Sequence, residues 1–238
     1  MTVDLLAIAA HRDDVELTCA GTLIKAAKQG YKTAVVDLTA GEMGTKGDAK
    51  ARAAEAESAA HVMQLAARDN LGLPDAAIVN DPATRTRVAR VIRKFKPKIV
   101  IAPARQGRHP DHRVTSELVR DACFIAGLAK VAPELPKHRP KKVIHCVSFR
   151  QDFEKPTFIV DISDEFEQKL EAIRCFDSQF AGATQAGEVY PTGEPLYDAI
   201  RHYSAYYGGM IRVRYGEPFF TTETMRIDDV VALEVSTF

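Results

Sequence analysis

The chain has 238 residues, 46% of them hydrophobic, and balances 32 Lys and Arg against 32 Asp and Glu for a formal net charge of +0. That length suits one large core, so a single domain over residues 1–238 is expected, and the balanced charge provides no field to draw in nucleic acid or an acidic membrane. The four cysteines, Cys19, Cys123, Cys146 and Cys175, form no C-x-x-C pair and read as reduced thiols; without a basic N-terminal region or a run of about 18 apolar residues, the expected compartment is the cytoplasm, with no membrane partner.

Val3 to Ala10 reads as a strand covered on both faces, Val15 to Gln29 as a helix stopped by Gly30, and Lys32 to Leu38 as a second strand. This β-α-β opening leaves His11-Arg12-Asp13-Asp14-Val15-Glu16 at the carboxyl end of the first strand, where open parallel sheets place their ligands. Such a cluster beside a buried strand needs a partner to offset repulsion and desolvation, and a cation is the natural one. Thr39 to Asp48 reads as a polar, Gly-rich loop, Ala49 to Leu65 as a helix and Asp69 to Leu71 as a short strand. Pro82 to Phe95 is an amphipathic helix, and Ile99 to Pro103 an apolar strand followed at once by a second polar cluster, ARQGRHPDHR. The two clusters are therefore expected at one edge of the sheet. Thr115 to Leu128 follows as a helix, and the Pro-rich, basic connection Val131 to Lys142 as an ordered loop or flap. Two strands come next, Val143 to Phe149 and Thr157 to Ile162, with an antiparallel edge expected. Asp164 to Cys175 and Glu194 to Tyr207 read as helices, and Ile211 to Phe220 as the last strand. The pattern is one mixed α/β domain.

His11 and Asp14 on one turn, with His112 from the later strand end, make a set of three ligands that leaves a fourth position open for water, as hydrolytic zinc centres do. The same ligands also suit Fe²⁺, Co²⁺ or Mn²⁺. If Asp14 holds the metal, Asp13 is free to act as general base on the water, His109 is placed to polarise or stabilise an oxyanion, and Asp111 is an acceptor for an imidazole N–H. The blander alternative makes Asp13 or Asp14 the N-cap of a helix starting near Val15, and the histidines ordinary hydrogen-bonded ones. Two His/Asp clusters, each at the end of an apolar strand, weigh against that coincidence.

HRDDVE with the following AGTL, Arg52 to Ala56 (RAAEA), Asn70 to Asp75 (NLGLPD), HPDHR and the late YGEPF resemble the LmbE-like, or PIG-L-type, zinc N-deacetylases over essentially the whole chain. Ser178 to Phe180 (SQF) and YGEPF are most similar to the branch of that family that deacetylates N-acetylglucosaminyl-malate in bacillithiol biosynthesis. The resemblance implies a Rossmann-like, mostly parallel sheet flanked by helices, with a mixed C-terminal part. It implies zinc on His11, Asp14 and His112, Asp13 as general base, and His109 assisting at the oxyanion or the leaving amine. Arg52 and Arg139 would bind substrate, and Tyr197 would donate to the oxyanion, with Tyr190 competing for that role. Arg12 departs from the proline usual in the family and is expected to pair with a carboxylate such as Glu16. The expected partners are a small-molecule N-acetyl sugar conjugate and further copies of the chain in a homo-oligomer.

The expected activity is thus hydrolysis of the N-acetyl amide of an N-acetylglucosamine conjugate, with another N-acetyl amino sugar or small N-acyl compound as the alternative. A phosphoesterase would want more carboxylates for a second metal. A nucleotide-binding module needs G-x-G-x-x-G where this chain has His-Arg-Asp-Asp. A metal-binding but non-catalytic interaction protein is disfavoured by Asp13 standing beside the ligands.

Overall fold

The computed structural model describes residues 1–44, 46–149, 155–180 and 195–235. The strands are β1 (Leu5–Ala9), β2 (Thr33–Thr39), β3 (Ala67–Leu73), β4 (Ile99–Ala102), β5 (Lys142–Cys146), β6 (Phe158–Asp161) and β7 (Gly216–Phe220). They form one seven-stranded sheet in the order β3-β2-β1-β4-β5-β7-β6. The first five strands run parallel, and β7 lies antiparallel to both β5 and β6. The architecture is the mostly parallel α/β sheet with a mixed C-terminal part that the sequence implies.

Alternation along β1 decides which helices cover which face. Leu6 and Ile8 join Val36 and Val100 beneath Val88, Ile92, Leu118 and Val119 of helices α4 (Pro82–Phe95) and α5 (Pro110–Ile125). Ala7 and Ala9 turn to the other face, where Val35 and Ile101 meet Leu23 and Ile24 of helix α2 (Ala20–Lys28). Both faces are dry, which accounts for the continuous apolar runs of β1 and β2. A third cluster joins α3 (Ala49–Val62) to α6 (Phe166–Arg174) and α8 (Leu196–Met210) through Ala59, Phe166, Leu170 and Ile200. A short helix α7 (Asp177–Phe180) follows α6.

The helix expected over Val15 to Gln29 is two. Helix α1 (Asp14–Thr18) stops at Cys19, whose φ of −141° is not helical, and α2 starts afresh at Ala20. The cause is long-range: the carboxylate of Glu217 on β7 accepts hydrogen bonds from the Gly21 and Thr22 backbone N–H groups, at 2.9 and 2.7 Å, and from Thr22 Oγ1 at 2.6 Å. An acceptor from elsewhere thus satisfies the first amides of α2, and its charge suits the positive end of the helix dipole. Lys169 of α6 closes the pair, its Nζ 2.6 Å from Glu217 Oε1 and 3.1 Å from the Leu17 carbonyl, with both side chains buried.

Other boundaries shift for local reasons. Helix α5 begins at Pro110 rather than Thr115, because His109 caps it and proline suits its first position. Strand β7 begins only at Gly216, because α8 runs on to Met210 and Arg212 then turns the chain at φ +62°. The 131–141 connection is irregular, and it is fastened to the end of α5 by the buried Arg93, whose guanidinium donates to the carbonyls of Ala126, Leu128, Ala132 and Leu135. No helix among the described residues is long and apolar enough to cross a membrane.

Candidate active site

Strand β1 leads to β2 on one side and has β4 on the other, so the chain leaves the sheet in opposite directions at the β1–β4 boundary. The crevice outside that boundary is where such sheets bind ligands. HRDD follows β1 and HPDH follows β4, and the structure brings them together there.

His11 Nδ1 lies 3.3 Å from His112 Nε2 and 3.4 Å from Asp14 Oδ2, and His112 Nε2 lies 3.1 Å from Asp14 Oδ1. Donors bound at about 2.0–2.2 Å in a tetrahedron stand roughly 3.3–3.6 Å apart, and these spacings, with Asp14 meeting the two rings through its two different oxygens, are close to that; His11, His109 and His112 also offer three ring nitrogens within 4.8 Å of one another. His109 joins the same cluster, its ring centroid 4.8 Å from each of the other two. The turn does not serve as a helix cap. Asp13 occupies the N-cap position of α1 but makes no side-chain capping bond, and Asp14 Oδ2 accepts instead from the His11 backbone N–H at 2.9 Å. Asp13 is also held at φ +102°, a left-handed conformation unusual for a side chain other than glycine.

The two adjacent carboxylates differ in acidity. Burial and the neighbouring Asp14 push the Asp13 carboxyl up to about 7. Burial acts the same way on Asp14, but His112 and His11 outweigh it and hold that carboxyl well below the usual range. Burial works against a charged His11, yet the Asp14, Asp13 and Asp75 carboxylates raise it to about 9. Desolvation, with His112 and His11 as neighbours, moves His109 the opposite way, toward the neutral form.

Asp75 is a site residue that the sequence did not single out for a role. Its Oδ1 lies 3.0 Å from His11 Nε2, on the side of the ring away from Asp14, whereas Asp111 Oδ2 is at 3.5 Å and accepts from the Ala76 N–H at 2.9 Å. The imidazole partner expected of Asp111 is therefore mainly Asp75, and Asp111 instead fixes the backbone that carries it. Asp75 Oδ2 also accepts from the Met43 N–H at 3.0 Å, tying the 41–48 loop to the site. The only hint in the sequence was its position at the end of NLGLPD, after β3.

Arg52 is buried, not on a solvated helix face. It donates to the Gly41 carbonyl at 2.8 Å and the Arg12 carbonyl at 3.1 Å, and its Nη2 lies 3.7 Å from Asp13 Oδ2. Gly41 at φ +73° permits this, because a Cβ there would meet Arg52 Nη1 at 2.1 Å. Arg12 donates to the Ala49 carbonyl at 2.9 Å and does not pair with Glu16, which Arg68 holds at 2.6 Å. Arg139 is far from the site: it donates to the Phe124 carbonyl at the far end of α5 from His109, roughly 22 Å along the helix. Tyr197 lies in the first turn of α8, its ring 5.1 Å from the Arg174 guanidinium, and is not among the residues that line the cavity. Tyr190 lies outside the described residues.

The cluster opens into a cavity of about 610 Å³. Asp13, His109, Arg52, Asp75, Arg108 and Phe149 are among the residues that line it, as are Ala9 and Cys146. That size suits a small molecule.

A family model described as PIG-L, GlcNAc-PI de-N-acetylase, matches residues 6–123. The chain is 32% identical over 225 residues to a diacetylchitobiose deacetylase from Thermococcus kodakarensis, covering 90% of this chain and 80% of that protein. Among solved structures it resembles the conserved protein TT1542 from Thermus thermophilus, with a TM-score of 0.85 and 35% identity over 95% of this chain and 98% of that one. It also resembles the N,N'-diacetylchitobiose deacetylase from Pyrococcus horikoshii, with a TM-score of 0.76 and 28% identity over 91% and 82%.

Proposed function

The chain belongs to the PIG-L/LmbE-like deacetylase family, and from that premise we propose that it hydrolyses the N-acetyl amide of an N-acetylglucosamine unit in a small conjugate, releasing acetate and a free amine. The observation that carries this reading is the Asp14–His11–His112 cluster with Asp13, free of any capping bond, beside it in the lining of the cavity. His11, Asp14 and His112 would hold the ion, and zinc suits two imidazoles and a carboxylate. When bound, the ion supplies the Lewis acidity that lowers the pKa of water toward about 7 and polarises the amide carbonyl.

The chain's own groups do the rest. Asp13 accepts a proton as water attacks the acetyl carbon and returns it to the amine nitrogen as the C–N bond breaks. Arg52, fixed by two carbonyls, keeps a positive charge beside Asp13. His109 accepts from the Asp111 N–H through Nδ1 at 3.2 Å, which leaves its Nε2 as the donor for the oxyanion or the departing amine.

The aglycone reading changes. SQF and YGEPF, the segments that pointed to the malate conjugate, have structural work: Ser178 donates to Glu55, Gln179 to the Lys46 carbonyl, and Glu217 caps α2. Arg139, offered as a binder of an anionic aglycone, lies far from the cavity. The named relatives are diacetylchitobiose deacetylases, so a short N-acetylglucosamine oligomer is the favoured substrate. Acetate release from diacetylchitobiose, N-acetylglucosaminyl-malate and N-acetylglucosamine, each with zinc-loaded protein, tests this. Turnover of diacetylchitobiose at the highest kcat/KM supports the reading, a preference for the malate conjugate restores the bacillithiol substrate, and no acetate from any of the three overturns both.

A further inference from the structure

Below the site lies a buried ion cluster that the proposed chemistry does not use. Arg68 on β3 grips Asp37 on β2 with two bonds, Nε to Oδ2 at 2.9 Å and Nη2 to Oδ1 at 3.0 Å, and extends Nη1 to Glu16 Oε1 at 2.6 Å. All three side chains are at least nine-tenths buried, and none lines the cavity. Glu16 Oε2 has no hydrogen-bond partner among the described residues, so Arg68 alone fixes this carboxylate.

The three residues occupy particular places. Asp37 pairs in register with Ala9, two residues before the ligand His11. Glu16 lies two residues beyond the ligand Asp14, in the first turn of α1. Between them, Asp13 sits at φ +102°. A non-glycine residue stays in such a conformation only where its surroundings over-determine it. The upstream side of the turn has its own restraints, Arg52 on the Arg12 carbonyl and Arg12 on the Ala49 carbonyl. The downstream side is restrained through Glu16, alongside Thr18 Oγ1 on the Asp14 carbonyl at 2.7 Å and Lys169 on the Leu17 carbonyl. A buried ion cluster is a poor source of net stability beside well-packed apolar residues of the same volume, and in some proteins its use is to fix direction and register.

We infer that Arg68, anchored on Asp37, is a positioning residue that acts through Glu16 to hold Asp13 and Asp14 in the conformation the metal site needs. This rests on the metal-site reading above. The first measurement is zinc affinity, by competition with a chromophoric chelator, for the full chain and for Glu16→Gln, Arg68→Met, Arg68→Lys and the remote core control Ile92→Val. Kinetics on diacetylchitobiose at saturating zinc accompany it. Glu16→Gln and Arg68→Met are expected to weaken zinc binding by about 10–100-fold and to lower kcat, with KM within about twofold of the original because none of the three residues touches the cavity. Arg68→Lys is expected not to rescue, since one ammonium cannot reproduce the fork that bridges two carboxylates. Ile92→Val is expected to lower Tm but leave zinc affinity unchanged.

Zinc affinity and kcat within twofold of the original in Glu16→Gln, with only Tm reduced, would overturn the inference and leave the cluster a structural one. If Arg68→Met does not fold, Glu16→Gln decides alone, since it keeps the shape and volume of the side chain. If the original chain and His112→Ala bind zinc equally, the metal-site reading itself fails and this inference falls with it, a pattern distinct from unchanged affinity in Glu16→Gln only.

Discussion

Asp13 and Asp14 are adjacent in sequence but meet different surroundings because Asp13 is held in a left-handed conformation. Asp14 faces two imidazoles, while Asp13 faces Arg52 and the cavity. Asp13→Asn keeps the shape but cannot accept a proton, so kcat is expected to fall by about 10²–10⁴ while one zinc per chain is retained, as activity assays and metal analysis of the same sample would show. Asp75→Asn is expected to be milder. It leaves a hydrogen-bond acceptor for His11 Nε2 but removes the charge, and a loss of about 10–100-fold in zinc affinity or activity is the usual size for such a partner. Wild-type affinity in that variant would return the role to Asp111. That His11, Asp14, His109 and His112 would meet was legible in the sequence because each sits within a few residues of an apolar strand's end. Asp75 was not, because its role depends on the connection after β3 folding back over the site, which no spacing records. Arg139 was misplaced for a related reason: a basic loop residue is as well used closing the end of α5 as binding a ligand, and local sequence does not separate the two.

Among the elements, a helix whose ends carry common local signals was legible, whereas an unusual cap, such as His109 before Pro110, or a distant side chain hid a boundary. The pattern of α4 gave its limits, Pro82 to Phe95, because Asp81 caps it locally and accepts from the Thr84 N–H at 2.7 Å. The break between α1 and α2 had no local sign, since its cause is Glu217, 195 residues beyond Thr22. This arrangement predicts unequal effects at its two charged ends. Glu217→Gln leaves the Lys169 ammonium buried with neutral acceptors and no countercharge, and the expected loss is about 3–5 kcal/mol of unfolding free energy. Lys169→Met leaves Glu217 with three donors at the start of α2, and the expected loss is smaller, about 1–3 kcal/mol. Urea denaturation of the two variants measures the difference, and equal losses would mean that α2 does not depend on this cap.

At the scale of the whole molecule, the site joins parts of the chain that no short element connects. His11 follows β1, Asp75 follows β3 and His112 opens α5, so an ion held by His11, Asp14 and His112 crosslinks the two clusters that flank the central strands. Anything that binds the folded chain and not the unfolded one stabilises it by RT ln(1 + [L]/Kd), about 2.7 kcal/mol when free zinc is 100 times its Kd. For a chain of this length each kcal/mol moves Tm by roughly 2–4 °C, so zinc is expected to raise Tm by roughly 5–11 °C and a strong chelator to reverse the gain. In His112→Ala, which removes one ligand and keeps the core, the shift is expected to disappear while the metal-free Tm stays near that of the original chain. A shift of the same size in that variant would locate the ion elsewhere, for example on His11, Asp75 and Asp111, whose donor atoms also lie within 4.8 Å of one another. Differential scanning fluorimetry across a zinc series, run on both proteins side by side, distinguishes these outcomes without requiring a substrate, so the metal site can be judged independently of the acetyl sugar it is proposed to act on.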